Sequence, residues 1–297
     1  MIMGSKNKYK NEGLPKRRLG ETIFLAVFFV VFIVQSLTLL YPIFWTLQNS
    51  LKTPFEYWNS TFKMPEAFLI SNYGKAFTEV VVRGATFPTL AFNTVWMAVL
   101  NTFVSIGCSA IAAYPMAKYK FPGKPVIYSI AILIQVLPVI GTGPAAFQFM
   151  YRSGIANNPG LIWLAWASGF DFSFIVLYGY FKSISWSYAE AAIIDGASNF
   201  KVMYKIMFPQ AVPAIASLMI LNFIGAWNNY ATPMFYMKGY PNLALAIFLF
   251  DKESQFAATG TPVFLSSIII SMLPILLIFV FFQRMIMTNV TAGGLKG

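Results

Sequence analysis

Three groups of polar residues in this chain have types and spacings that could do chemistry. Asp171 is the one acid well inside an apolar stretch. A carboxylate in such surroundings is costly unless it faces a cavity or a partner. It therefore reads either as a contact to a solute or gate, or as a hydrogen bond between helices. Ser168 and Tyr178 fall on roughly the same face at helical spacing. The second group is a set of amides, Asn222, Asn228 and Asn229, gathered around Gly225 and Trp227. Amides pair with hydroxyls and an aromatic ring covers the C–H face of a sugar, so this group suits a sugar; the alternative is adhesion between helices. Asn222, Gly225 or Ala226, and Asn229 share one helical stripe. Gln135, Asn93 and Asn101 are weaker members of the same class. The third group is a polar-and-small island between two apolar stretches: Glu190-Ala191-Ala192, Asp195-Gly196-Ala197, then Ile206 and Pro209.

Other chemistry is excluded by composition. The chain has no histidine and one cysteine, Cys108. A His-based triad and an intrachain disulfide are ruled out, and a His/Cys metal site is disfavoured. No G-x-x-x-x-G-K-[ST] loop is present to cradle phosphates. Gly123-Lys124 lacks the preceding glycine and is followed by Pro125. The chain is expected to bind no cofactor and to have no ATPase site of its own.

The elements that must position these groups are membrane helices. Of 297 residues, 58% are hydrophobic and only 10% charged, with a mean hydropathy of +0.64. Soluble domains carry about 25% charged residues. About 20 apolar residues cross a bilayer as a helix, and six such stretches are legible, at roughly 22–47, 88–114, 125–150, 159–181, 210–236 and 262–287. The first continues through Phe28 to Trp45, longer than a signal-peptide core, and is read as a retained span. An even number of spans puts both termini on one side. With the termini in the cytoplasm, fourteen of the 21 basic residues lie inside, beginning with Lys6, Lys8, Lys10, Lys16, Arg17 and Arg18. That asymmetry follows the positive-inside rule. It assigns the net charge of +11 to topology rather than to nucleic acid. The segments at roughly 48–87 and 237–261 then become external loops without strong periodicity.

Ser187 and Glu190 have capping-box spacing and predict a helix start near Tyr188. Ala189, Ala191 and Ala192 give that helix a small face that could sit deep in a partner's groove. Gly196 bends the chain, and Phe200 to Met207 forms a second helical stretch. Pro209 ends it or begins the next span.

The order E-A-A-x-x-D-G-A followed by I-x-x-P resembles the cytoplasmic loop of ABC importer permeases. Ser50-Leu51-Lys52, Pro65, Asn72-Tyr73 and Trp227-Asn228 are similar to the carbohydrate branch. The ending Thr291-Ala292-Gly293-Gly294-Leu295-Lys296-Gly297 resembles that of the smaller permease of maltose importers. Asn229 departs from the acid found after Trp-Asn in many relatives.

The resemblance implies an all-α integral membrane protein of the bacterial cytoplasmic (inner) membrane. It implies a single permease domain over 1–297, with a basic arm at about 1–21, a coupling loop at about 185–209 and a tail at about 288–297. It also implies six transmembrane helices, with the helix–bend–helix loop between spans 4 and 5. Glu190, Ala191, Ala192, Asp195, Gly196, Ala197 and Pro209 would dock on an ATPase, and Gly293, Gly294, Leu295 and Lys296 would touch it. The implied partners are a second homologous permease, two ATPase subunits that hold ATP and Mg, an external solute-binding protein and an oligosaccharide. A polyol or sugar phosphate remains an alternative cargo, and a secondary transporter an alternative class.

Overall fold

The computed structural model describes residues 19–137, 143–250 and 260–292. Helix α1 (Leu19–Ser50) leads to short helices α2 (Pro54–Asn59) and α3 (Ser71–Glu79). A hairpin of two-residue strands follows, β1 (Val81–Val82) and β2 (Ala85–Thr86), paired antiparallel. Its turn residues, Arg83 and Gly84, both have positive φ, as a tight hairpin requires. Next come α4 (Phe87–Lys118), α5 (Lys124–Val136), α6 (Gly143–Arg152), α7 (Trp163–Trp166) and α8 (Phe172–Ser183). Helices α9 (Ser187–Ile194) and α10 (Asn199–Val202) precede a π-helical turn, Met203–Met207, that runs straight into α11 (Phe208–Trp227). A second π-helical turn (Thr232–Tyr236), α12 (Leu243–Leu249) and α13 (Thr261–Ala292) complete the described residues.

Among the described residues, four helical runs are each long and apolar enough to cross a bilayer: α1, α4, Asn199–Trp227, and Thr261–Gln283 of α13. The two remaining expected stretches are built from shorter pieces. The 125–150 stretch holds α5 and α6, and the 13 residues of α5 rise only about 20 Å against a hydrocarbon core of about 30 Å. The 159–181 stretch is α7 and α8, separated where Gly169 takes φ +68° and Asp171 caps the second helix. Ser168 therefore does not share a helix with Tyr178. The fifth stretch starts earlier than expected, at Asn199, because a π-helical turn carries α10 into α11. It also ends earlier, at Trp227, where Asn228 and Asn229 leave the helical ladder. Neither expected external loop is featureless. The 48–87 segment folds as α2, α3 and the hairpin. The 237–261 segment contains α12, whose Leu243, Leu245, Ala246 and Leu249 are buried.

Helix α4 is the axis of the bundle and packs against α8 and α11. Ala110 and Ala113 are buried along α4, and small residues of this kind let helices approach closely. Ile106 and Tyr114 of α4, Phe174, Leu177 and Phe181 of α8, and Met207 with Leu218 of the fifth run form one buried cluster. A second cluster, at the far end of α4, joins Phe87 and Leu90 to Ala76, Trp227, Leu245 and Phe264. Hydroxyls inside the bundle bond to carbonyls of their own helices: Thr94 to Leu90, Thr102 to Ala98, Ser217 to Pro213 and Ser271 to Ser267. Where there is no water, that leaves no donor orphaned.

Two polar contacts hold the ends in register. The first is at Asp171, whose carboxylate accepts from Ser105 Oγ at 3.0 Å, Ser109 Oγ at 2.8 Å and the Phe174 amide at 3.1 Å. It caps α8 and ties it to α4 at once. The second is a knot around Lys52. This side chain is fully buried. Its Nζ donates to Asn49 Oδ1 at 2.8 Å, Ser60 O at 2.8 Å and Thr61 O at 3.1 Å. Asn72 Nδ2 donates to the carbonyls of Ser50 and Lys52, Ser50 Oγ meets the Tyr73 hydroxyl, and Ser266 Oγ donates to Ser50 O. The Ser50–Lys52 and Asn72–Tyr73 segments, paired above only by resemblance, are thus one hydrogen-bonded unit against α13.

Burial holds the Lys52 ammonium below its ordinary pKa of 10.5, partly offset by the charge of Glu56. Between the lowered folded value and 10.5 the unfolded chain binds more protons, so stability rises as pH climbs through that window. Lys52→Met leaves Asn49 Oδ1 without a donor, while Ser60 O keeps the Lys63 amide and Thr61 O keeps Gln48 Nε2. It should lower stability at neutral pH by about 1–3 kcal/mol and abolish the alkaline rise. Thermal unfolding in detergent across pH checks both. Asp171→Ala should cost about 1–2 kcal/mol by the same assay. Asp171→Asn, which keeps an acceptor at the cap, should cost about 0.5 kcal/mol or less. Equal losses from the two would show that charge, not capping, is the role.

Candidate functional site

The loop from Ser187 to Pro209 has a defined internal geometry. Helix α9 ends in a paired-bond cap: the Gly196 amide donates to Ile193 O at 3.0 Å and the Ala197 amide to Ala192 O at 2.9 Å. Asp195 is the last half-helical residue, and Gly196 takes φ +81°. This is the Schellman arrangement, whose left-handed position favours glycine. The apolar contact that accompanies it is also present, since Ala192 and Ala197 pack against the same buried cluster. Ser198 then starts α10 at once, its Oγ accepting from the Lys201 amide at 3.4 Å. The D-G-A-S order is therefore a C-cap and an N-cap placed back to back.

The structure corrects three readings of this loop. The Ser187–Glu190 capping box does not form, because the backbone is already helical at Trp186. Ser187 is the first helical residue, and its Oγ and amide meet Ser185 Oγ. The alanine face is not wholly free for a partner's groove: Ala189 is buried in the chain's own core and Ala192 is half-buried, while Ala191 is exposed. Of the two readings of Pro209, the end of the second stretch gives way to the start of the next helix: it stands in the first turn of α11, although the helical run is continuous from Asn199. The outward surface is instead Glu190, Ala191, Ile194, Asp195, Phe200 and Tyr204, with Ile194 84% and Phe200 71% exposed. The loop is anchored beside the ends of α4 and α8, where Lys118 Nζ donates to Ile184 O and Tyr180 OH donates to Gln210 O.

Midway along α4, beyond the end of α11, lies an open cleft of about 430 Å³. Asn101 of α4, Phe149 of α6, Trp166 of α7, and Asn229, Thr232 and Tyr236 line it. Trp166 of α7, before the interruption at Gly169, and Thr232 and Tyr236 of the second π-helical turn, after the interruption at Trp227, stand on its wall. Asn229 Oδ1 caps that turn through the Thr232 amide at 2.9 Å, and Asn242 Nδ2 holds the Asn229 carbonyl at 2.9 Å.

The amide candidates thus separate. Asn229 lines the cleft. Trp227 is buried in the second core cluster. Asn228 Nδ2 bonds to its own helix at Ile224 O. Asn222 sits on α11, away from any stripe with Asn229, because the helix ends between them. Its Oδ1 is buried and has no hydrogen-bond partner among the described residues. Gln135 is exposed and donates to Phe170 O at 3.1 Å. Asn93 is buried and donates to Pro241 O at 2.7 Å. Asp171 makes the interhelical bonds given above, the second of its two readings. Gly293, Gly294, Leu295 and Lys296 lie outside the described residues. Sequence reasoning missed Trp166, Thr232 and Tyr236, since only the breaks in two helices bring them beside Asn101.

Comparison with known proteins agrees with this geometry. Residues 105–291 match the family described as binding-protein-dependent transport system inner membrane component. The chain is 29% identical over 272 residues to the diacetylchitobiose uptake system permease protein NgcG of Streptomyces coelicolor, covering 91% of this chain and 88% of that one. It is 29% identical over 265 residues to the trehalose transport system permease protein SugB of Mycobacterium tuberculosis, covering 87% and 93%. The fold is shared with a chain from the crystal structure of a bacterial ABC transporter involved in import of the acidic polysaccharide alginate, with a TM-score of 0.78, 24% identity and coverage of 91% and 99%. The chain belongs to the family of binding-protein-dependent transport system inner membrane components.

Proposed function

We propose that this chain is the membrane-spanning subunit of an ATP-driven oligosaccharide importer. It receives cargo from an external solute-binding protein and seats its 187–209 loop in a separate ATPase subunit. The observation that carries the reading is the loop itself. It is a rigid two-helix element with a left-handed hinge at Gly196, anchored inward through Ala189 and presenting Ile194, Phe200 and Tyr204 outward. Exposed apolar side chains on such an element mark a protein contact. Relatives that carry diacetylchitobiose and trehalose support a carbohydrate cargo.

The remaining partners follow from what the chain leaves open. None of the apolar window of α1 is buried within the chain. A second permease beside lipid covers it, and two ATPase subunits hold ATP and Mg. The chain makes six crossings of the cytoplasmic membrane, with α5–α6 and α7–α8 acting as two composite spans. Both termini and the 187–209 loop lie in the cytoplasm.

Gly196→Ala places a Cβ at a left-handed position and disturbs the cap. ATP hydrolysis stimulated by the loaded binding protein should fall about tenfold, with membrane insertion unchanged. Full stimulation in this variant would refute docking through the bend. In a Cys108→Ser background, a cysteine at Asn59 should react with a membrane-impermeant maleimide on intact cells. A cysteine at Asn199 should react only after lysis. The reverse pattern would invert the topology.

A further inference from the structure

The cleft between α4, α6, α7 and the second π-helical turn carries chemistry that no packing role uses. The Asn101 amide, the Trp166 indole N–H, the Thr232 hydroxyl and the Tyr236 hydroxyl form no hydrogen bond among the described residues. Asn229 spends its Oδ1 on the Thr232 amide and keeps its Nδ2 free. These groups are half-exposed rather than buried, so they are free to bond to whatever enters the space, and uncommitted donors and acceptors set beside aromatic rings are the surface a polyhydroxyl ligand needs. The ring faces of Phe149, Trp166 and Tyr236 share the lining. The volume of about 430 Å³ lies in the range of small-molecule sites. Among the described residues, no acidic or basic side chain lines the space. The cation nearest in sequence to Tyr236, Lys238, is placed over the rings of Phe147 and Tyr151, which do not line it.

We propose that this cleft is a glycan-binding subsite for an uncharged sugar unit of the transported chain. It rests on the oligosaccharide reading above and adds two things: the site lies in this subunit, and it takes neutral rather than uronic units. The rings cover the apolar face of a pyranose. The amide of Asn101 can both donate to and accept from one hydroxyl pair, and the Asn229 Nδ2 and Thr232 hydroxyl meet a second. A uronate carboxylate would enter a space with no cation to meet it, at a large desolvation cost. The fold shared with a chain of an alginate importer therefore does not extend to the chemistry of this cleft.

The test uses the complete importer in proteoliposomes with its binding protein. The probes are radiolabelled diacetylchitobiose, trehalose, maltotriose and dimannuronate. Wild type should import at least one neutral probe and no dimannuronate. Asn101→Ala and the isosteric Thr232→Val should each lower the sugar imported per ATP hydrolysed by about fivefold or more. Asn228→Ala, bonded only to its own helix, should leave that ratio at the wild-type value. Co-purification of each variant with the ATPase confirms assembly, and Thr232→Val removes only a hydroxyl if Asn101→Ala fails to assemble. Unchanged ratios in both cleft variants would overturn the subsite while leaving the importer reading intact. Import of dimannuronate alone would overturn the neutral assignment. Failure of wild type to import any probe would overturn the oligosaccharide reading and this proposal with it.

Discussion

A helix interrupted inside a packed bundle must find partners for the backbone groups it frees, and this bundle is organised around two places where it does so. At Asp171 the carboxylate caps α8 and accepts from two serines of α4. At Asn229 an amide caps the second π-helical turn, and Asn242 holds its carbonyl in return. Without these side chains the Thr232 amide would lose its partner and the Phe174 amide would keep only the Asp171 carbonyl at 3.1 Å. With them the chain can turn within the bundle. Trp166 and the second π-helical turn, on the cleft wall, flank the two breaks.

The same constraint explains which intramembrane polar residues are structural and which remain unspent. Asp171, Asn93 and Asn242 lie at junctions and have all their visible partners within the chain. Thr94, Thr102, Ser217 and Ser271 are bonded back to their own helices. Among the described residues the buried side-chain atom left without a partner is Asn222 Oδ1 on α11, and half-exposed uncommitted groups line the cleft. An inventory of polar residues by type would rank Asp171 first for function. An inventory by hydrogen bonding ranks Asn101 above it.

Much of the fold was legible and the reasons it was not complete are specific. Apolar length located α1, α4 and α13 to within a few residues, because a bilayer demands a run of fixed length. The Gly196 bend was legible because D-G-A carries the chemistry of a left-handed cap. The breaks within the 159–181 and 210–236 stretches were not, because apolar composition continues through them and says nothing of where the ladder stops. The direction of the alanine face was missed for a related reason. Small residues announce a close approach but do not say to which body, and here Ala189 approaches its own core. The Lys52 knot was visible only as a resemblance, since its partners lie up to 216 residues apart in sequence.

The two sites are joined by one element. The helical run from Asn199 to Trp227 begins in the loop and ends at the residues that turn toward the cleft. Its 29 residues extend about 43 Å. Near the loop it carries the π-helical turn Met203–Met207 and Pro213, both points where a helical ladder is weakened. Met207 and Leu218, on either side of Pro213, are packed into the cluster shared with α4 and α8. A force applied at Phe200 or Tyr204 thus has a compliant joint at the loop and a stiff lever beyond it. The lever ends within two residues of Asn229, whose side chain holds the wall of the cleft. A displacement of the loop that reaches Trp227 must either move Asn229 or break its bond to the Thr232 amide, and either change alters the space a sugar would occupy.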